Sequence, residues 1–157
     1  MASSELLLFL QADTWSPEGY AEVIRDQLRH PAVAAGAFRF ALREPVPGRP
    51  FLEGLVSARC RCFGTPFGDQ GLCVRRELFK PIGGFAEWSL LEDVEILRCR
   101  RRYGRVELAA APALTSRRRW QARGVLRTFF INQLVMVGHH AGASPDRLAR
   151  LYRSGGN

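Results

Sequence analysis

The sequence contains very little lysine. Lys80 is the only lysine among 23 basic residues, so the formal net charge of +8 comes almost entirely from arginine. Guanidinium groups form planar forks that suit phosphates and carboxylates, and their excess predicts an anionic ligand, a nucleic acid or an anionic surface as partner. The arginines concentrate in residues 98–105 (RCRRRYGR) and 117–123 (RRRWQAR). The first cluster also fits a helix end, where cations oppose the negative end of the helix dipole.

Recognised nucleic-acid-binding motifs are absent from the sequence. Specific nucleic-acid binding is therefore not expected. A non-catalytic basic module that binds nucleic acid or an anionic surface through its arginines is the alternative to an enzyme. Binding of that kind depends steeply on salt.

Long hydrophobic runs are also absent. The most apolar later stretch, Val125–Val137, contains Arg127, Asn132 and Gln133 and is shorter than the roughly 20 residues of a membrane span. The N-terminal segment lacks the basic region and cleavage site of a signal peptide. These observations predict a cytoplasmic protein. A peripheral membrane contact of the helix Gly124–His140 is left open, with core packing as the other explanation of its apolar residues.

The four cysteines do not form a metal-binding or disulfide framework. Cys60 and Cys62 form a C-x-C pair without CxxC pairs or histidines at zinc spacing, and Cys73 and Cys99 stand apart. Buried, reduced thiols are the favoured interpretation.

The order of predicted elements is that of an α/β protein, and 157 residues suit one domain, residues 1–157. The apolar run Glu5–Leu10 predicts a buried strand, and Ser16-Pro17-Glu18 predicts a helix capped by Ser16. The further expected elements are that helix to about His30, strand Val33–Arg43, helix Pro50–Cys62, strand Leu72–Val74, helix Arg76–Pro81, strand Val106–Ala110, an edge at Ala113–Ser116, helix Gly124–His140 and a helix capped by Ser144 that ends near Arg153.

Three carboxylates stand out by position. Asp13 follows a strand that is otherwise apolar. Ser89 and Glu92 have the spacing of a capping box, which gives Glu92 a structural explanation. Asp93 lies in the first turn of the same predicted helix, where the helix dipole keeps a carboxylate ionised and able to accept a proton. The simpler alternative is that Asp93 only stabilises the helix start.

Four stretches together resemble family 2 glycosyltransferases of the GT-A fold, closest to the type associated with radical-SAM and selenodomain proteins. They are LLLFLQADT (6–14), GDQGLCVRRELFKPIGGF (68–85), LLEDVEILRCRRRYGRV (90–106) and TSRRRWQARGVLRT (115–128). The resemblance implies a partial GT-A (Rossmann-like) mixed sheet flanked by helices, with further helices at the C-terminus. It also implies transfer of a sugar from a nucleotide-sugar donor to a sugar or lipid-linked acceptor, with inversion.

The resemblance assigns the catalytic and metal-binding roles. Asp13 matches the last acid of the D-x-D element, which holds Mg²⁺ or Mn²⁺ on the donor diphosphate; Gln11 stands in place of the first acid. The metal would neutralise charge on the leaving diphosphate. Asp93 matches the general base that deprotonates the acceptor hydroxyl, and Glu92 would orient or cap.

Substrate-binding roles are implied for six residues. Arg119 and Trp120 match the end of a Q-x-x-R-W element, in which the arginine contacts the diphosphate and the tryptophan stacks on the acceptor. Ser116 replaces its glutamine, which argues against a processive synthase. Asp69 and Gln70 would belong to the donor or acceptor floor, and Gly83 and Gly84 to the substrate site.

The resemblance begins in the middle of the family pattern. Family members carry a nucleotide-binding portion before the strand that ends in the metal-binding acid, whereas here that strand follows the first few residues. The chain is therefore expected to be truncated relative to the family and weakly active or inactive by itself.

Overall fold

The computed structural model describes residues 4–79, 81, 97, 102–118 and 124–154. Within these residues the chain forms five strands, five helices and one short 3-10 turn at Gly68–Gln70. The strands are β1 Leu6–Phe9, β2 Thr14–Trp15, β3 Val33–Leu42, β4 Leu72–Arg75 and β5 Arg105–Thr115. The helices are α1 Tyr20–Arg29, α2 Arg49–Phe63, α3 Arg76–Phe79, α4 Val125–His140 and α5 Pro145–Ser154.

The strands form one mixed sheet in the order β1–β4–β3–β5–β2. Strands β3 and β5 run parallel, and the other three pairings are antiparallel. The predicted α/β class is confirmed. In the parallel pair Leu42 lies opposite Thr115, so both strands end at the same edge of the sheet.

The central strand β3 is buried over almost its whole length because its side chains are small or apolar. Gly36 lets helix α1 approach the sheet: a Cβ there would lie 2.8 Å from both the Sγ of Cys73 and the Oε1 of Gln27. The Nε2 of Gln27 donates to the carbonyl oxygens of Ala37 and Glu107, each at 3.2 Å. One buried amide thus ties α1 to both strands of the parallel pair.

Helix α1 begins later than the sequence predicts. Its N-cap is Gly19, in the left-handed region at φ 66°, rather than Ser16. The backbone N–H groups of Glu22 and Val23 donate to the Gly19 carbonyl. Thr14 and Trp15 pair with β5, so the chain needs the following residues to turn away from the sheet before the helix can start.

Strand β5 is one strand, although the sequence predicts two pieces. Pro112, which cannot donate a ladder hydrogen bond, lies opposite Arg39 at a shift in the β3–β5 register. The Nε of Arg39 donates to the Ala110 carbonyl at 3.3 Å. The irregularity accommodates the proline, and the strand continues through it. The remaining predicted elements in the described part are confirmed to within two residues at each end. The predicted burial of the first strand is wrong, because β1 lies at the edge of the sheet beside β4 alone and its side chains are only half-buried.

Apolar clusters join the helices to the sheet and to each other. Cluster members from α1 are Ile24 and Leu28, those from α2 are Leu52, Val56 and Cys60, and the α4–α5 pair contributes Val135, Met136 and Leu148. Among the helices that the structure describes, none has both the length and the apolar character needed to cross a membrane.

The predicted burial of the thiols is confirmed for Cys60 and Cys73, whereas Cys62 is exposed. Cys99 lies outside the described residues. Burial raises the pKa of the Cys73 thiol to about 12, because the thiolate would be desolvated; hydrogen bonds from the backbone of Gly36 and of Cys73 itself oppose this in part.

Candidate functional site at the carboxyl edge of the parallel strands

The edge at which β3 and β5 end is the candidate site, and we call it the carboxyl edge. In α/β sheets, ligands bind outside the carboxyl ends of parallel strands, because loops from several strands meet there. The last β3–β5 pair is Leu42 and Thr115, and β2 lies beside the end of β5. Three separate parts of the sequence therefore meet at this edge.

Asp13 lies at the carboxyl edge, directly beside the end of β5. Its backbone carbonyl accepts a hydrogen bond from the Ser116 N–H at 2.9 Å. The hydroxyl oxygens of Thr14 and Thr115 lie 3.1 Å apart, in a buried contact. These contacts join the segment that carries the predicted metal ligand to the start of the TSRRRW segment.

The loop after β3 supplies charged residues to the same edge. The Arg43 N–H donates to the Thr115 carbonyl at 3.0 Å, and the Arg43 guanidinium carbon lies 4.4 Å from the centre of the Trp15 ring. The Oε2 of Glu44 accepts the Arg117 N–H at 3.0 Å. The edge thus combines carboxylates, guanidinium groups and a tryptophan that is 45% exposed.

Sequence reasoning missed Trp15, Arg43 and Glu44 as members of this edge. A signal for two of them was present, since Arg43 and Glu44 directly follow the buried strand β3. For Trp15 the sequence holds no local signal, because its place depends on the pairing of Leu114 with the two-residue strand β2.

Asp69 and Gln70 lie in the 3-10 turn before β4. Leu72 pairs with Ala37, so the turn continues along β3 towards the carboxyl edge. Both side chains are buried.

The amide of Gln70 is enclosed by protein groups. Its Nε2 donates to the Phe38 carbonyl at 3.1 Å. Its Oε1 accepts from the Phe67 N–H at 3.2 Å, from Arg59 Nη2 at 3.3 Å and from the Cys60 Sγ at 3.2 Å. The amide atoms of Gln70 therefore stabilise the conformation of the 3-10 turn.

Several arginines have structural partners inside the fold. Arg59 is buried with its guanidinium carbon 3.7 Å from the centre of the Phe67 ring. Arg75 Nη2 donates to the carbonyls of Leu28 at 2.6 Å and His30 at 3.0 Å. Part of the large positive charge therefore serves the fold itself.

Six predicted site residues lie outside the described residues: Glu92, Asp93, Gly83, Gly84, Arg119 and Trp120. Their predicted roles stay predictions. In the part of the chain that the structure describes, no group of three or more His, Cys, Asp or Glu side chains could hold a metal ion. Asp13 fits the other kind of site, in which Mg²⁺ is held by one or two carboxylates together with substrate phosphates.

Two open cavities lie away from the carboxyl edge. One, of about 630 Å³, is lined by residues that include Glu5, Leu28 and Arg75, and the other, of about 650 Å³, lies between β1 and α1. Since Leu6 pairs with Arg75, both are at the end of the sheet where β3 begins. The charged and aromatic residues Asp13, Trp15, Arg43 and Glu44 gather at the opposite edge, which we therefore prefer as the site.

Comparisons with protein-family models and with curated proteins found no match to this chain.

Proposed function

We propose that this chain is a glycosyltransferase-type domain that holds a nucleotide-sugar donor at the carboxyl edge and transfers its sugar, with inversion, to a sugar or lipid-linked acceptor. The observation that carries the proposal is the hydrogen bond from the Ser116 N–H to the Asp13 carbonyl. It joins two segments that resemble glycosyltransferase motifs although they are far apart in sequence. A GT-A (Rossmann-like) arrangement is part of the proposal, and the mixed α/β sheet is compatible with it.

The chemistry available at the edge supports a diphosphate ligand. Mg²⁺ or Mn²⁺, when bound by Asp13 and the diphosphate, would offset the negative charge of the leaving group. Arg43 and Arg118 are exposed and can approach phosphate oxygens as bidentate donors. In the expected reaction the acceptor hydroxyl gives its proton to Asp93. The hydroxyl oxygen bonds to the anomeric carbon of the donor sugar as the nucleoside diphosphate departs.

The test is to measure donor binding to the purified chain by titration calorimetry. UDP-glucose and GDP-mannose are each titrated with and without Mn²⁺. We expect Mn²⁺-dependent binding of a donor and a loss of about tenfold or more in Asp13→Asn, because one ionic metal ligand is removed. Glu22→Gln is the matched control, since Glu22 is an exposed carboxylate on α1. Donor binding that ignores both Mn²⁺ and Asp13→Asn would contradict the proposal.

The basic-module alternative is less well supported by the described contacts. The side chains of Arg39, Arg75 and Arg117 donate hydrogen bonds to backbone carbonyls of the chain itself. These arginines therefore have a structural role. Binding of duplex DNA or RNA that falls steeply between two salt concentrations would favour the alternative.

A further inference from the structure

The loop after β3, residues 43–48, is closed at its base by one carboxylate. The Oε1 of Glu53 in α2 accepts the Leu42 N–H at 3.0 Å and the Nε of Arg49 at 2.7 Å. These two donors are the last residue of β3 and the first residue of α2. Within the loop, Val46 packs against the apolar cluster between β3 and α2, and two prolines restrict the backbone. The loop therefore has a defined conformation.

This loop holds the start of the TSRRRW segment, residues 115–120, at two points on Arg117. The Oε2 of Glu44 accepts the Arg117 N–H at 3.0 Å, and the Pro45 carbonyl accepts the Nη1 of Arg117 at 3.4 Å. Glu44 is half-buried. Glu44 and Arg117 are 73 residues apart in the sequence, so only the folded chain brings them together.

The N–H groups on either side of Arg117 also have protein acceptors. The Ser116 N–H donates to the Asp13 carbonyl at 2.9 Å, and the Arg118 N–H donates to the Ser116 Oγ at 3.3 Å. Because three consecutive backbone donors are already used, this stretch can contact a phosphate through its side chains and not through its backbone. Arg118 is exposed, and its guanidinium group suits a bidentate contact with phosphate oxygens.

We infer that Glu44 is a positioning residue for the donor diphosphate: it fixes the backbone at Arg117 so that the guanidinium group of Arg118 meets the phosphate oxygens. The inference rests on the proposed function, since the diphosphate is that of the nucleotide-sugar donor. A carboxylate in direct contact with a diphosphate would repel it, so Glu44 acts through the backbone of Arg117 and does not touch the ligand. An ionised acceptor suits this role because charge-assisted hydrogen bonds are stronger than neutral ones.

The test is titration calorimetry of the purified chain and its variants with UDP-glucose and GDP-mannose in the presence of Mn²⁺. Arg118→Ala should weaken donor binding about tenfold, because a bidentate phosphate contact is lost. Glu44→Ala should weaken it about fivefold, whereas Glu44→Gln, which keeps an acceptor oxygen, should stay within about twofold of the unmodified chain. The double variant of Glu44→Ala with Arg118→Ala should bind as Arg118→Ala does, because Glu44 acts through Arg118. Glu77→Ala, which removes an exposed carboxylate at the opposite end of the sheet, is the matched control.

Hydrogen exchange measures the backbone contact without any ligand. The Arg117 amide should exchange about tenfold faster in Glu44→Ala than in the unmodified chain and stay protected in Glu44→Gln, with the circular dichroism spectrum unchanged. Unchanged exchange in Glu44→Ala would overturn the positioning role.

The binding results separate this role from the proposed function. If the unmodified chain binds neither donor, the proposed function is overturned and the role of Glu44 with it. If the chain binds a donor and Glu44→Ala binds it equally well, only the role of Glu44 is overturned. The same holds if Glu44→Ala weakens binding by the same factor in the presence and absence of the Arg118 side chain, because Glu44 would then not act through it.

Discussion

The hydroxyl oxygens of Thr14 and Thr115 lie 3.1 Å apart inside the protein and join β2 to the end of β5. This contact stands next to Asp13 and fixes its backbone against β5. We predict that Thr14→Val and Thr115→Val each destabilise the fold by about 1–2 kcal/mol, since each removes the buried contact between the two hydroxyls. Thr115→Val also removes the hydrogen bond from the Thr115 hydroxyl to the Asp13 carbonyl at 3.5 Å. The double variant should lose less than the sum, with a coupling free energy of about 1 kcal/mol in urea unfolding. Additive effects would contradict a direct bond.

We expect Gln70 to contribute mainly to the stability of the fold. Gln70→Leu would remove the hydrogen bonds that the buried amide makes with the Phe38 carbonyl, the Phe67 N–H and Arg59 Nη2. We predict a loss of about 3–5 kcal/mol in the free energy of unfolding, as for other broken buried networks. Arg61→Leu, an exposed position on α2, should change stability by less than about 0.5 kcal/mol. An unchanged midpoint for Gln70→Leu, accompanied by weaker donor binding, would instead assign Gln70 to the ligand.

The three described cysteines should differ in reactivity. Cys62 is exposed, whereas Cys73 is buried with its pKa raised to about 12. Since the thiolate is the nucleophile, native protein at pH 8 should alkylate at Cys62 and leave Cys73 unmodified until it unfolds. Peptide mapping by mass spectrometry separates the sites. Rapid alkylation of Cys73 in the folded state would contradict its burial.

The same thiol predicts a pH dependence of stability. Between its ordinary pKa near 9 and its folded pKa of about 12, Cys73 ionises in the unfolded chain but stays protonated in the folded one. The unfolded state then binds fewer protons, so this group lowers stability as pH rises, by up to about 1.4 kcal/mol per pH unit. Cys73→Ala should flatten the decline above pH 9, whereas Cys62→Ala should not. Parallel curves for Cys73→Ala and the unmodified chain would refute the assignment.

Asp93 is the predicted general base, and its variant tests the catalytic half of the proposed function. If the chain turns over a donor, Asp93→Asn should abolish transfer, because an amide cannot take the proton from the acceptor hydroxyl. The thermal unfolding midpoint should stay unchanged, because asparagine has the same shape as aspartate. Asp26→Asn, an exposed carboxylate on α1, is the control. Transfer that persists in Asp93→Asn at the original rate would remove Asp93 from that role.

Local patterns in the sequence predicted the elements, and the errors came from long-range pairing. The cap signature Ser16-Pro17 is a valid helix start only where the chain is free to turn, and here Trp15 is still paired with Leu114 of β5. Likewise, the sequence suggests two strands around Pro112, but pairing with β3 makes them one.

Of the residues at the candidate site, Asp13 could be predicted from the sequence. Asp13 stands out as an acid after an apolar strand, whereas its neighbour Trp15 is placed by a pairing between distant segments. The exposed face of α4 was also not predictable from the sequence, since the exposed Leu134 and the buried Val135 are adjacent aliphatic residues. Only the packing of α4 on α5 distinguishes the inner face from the outer one.

The pairing order of the sheet sets when folding can finish. Strand β5 is the parallel partner of β3, with Val33 opposite Arg105. Strand β2 also pairs with β5, with Thr14 opposite Thr115. Neither pairing is a local hairpin, so most loop-closure entropy must be lost before the sheet gains its contacts. During synthesis β3 is therefore made before β4, its antiparallel partner, and long before β5, its parallel partner. Its nascent form is the species that a chaperone would have to shield.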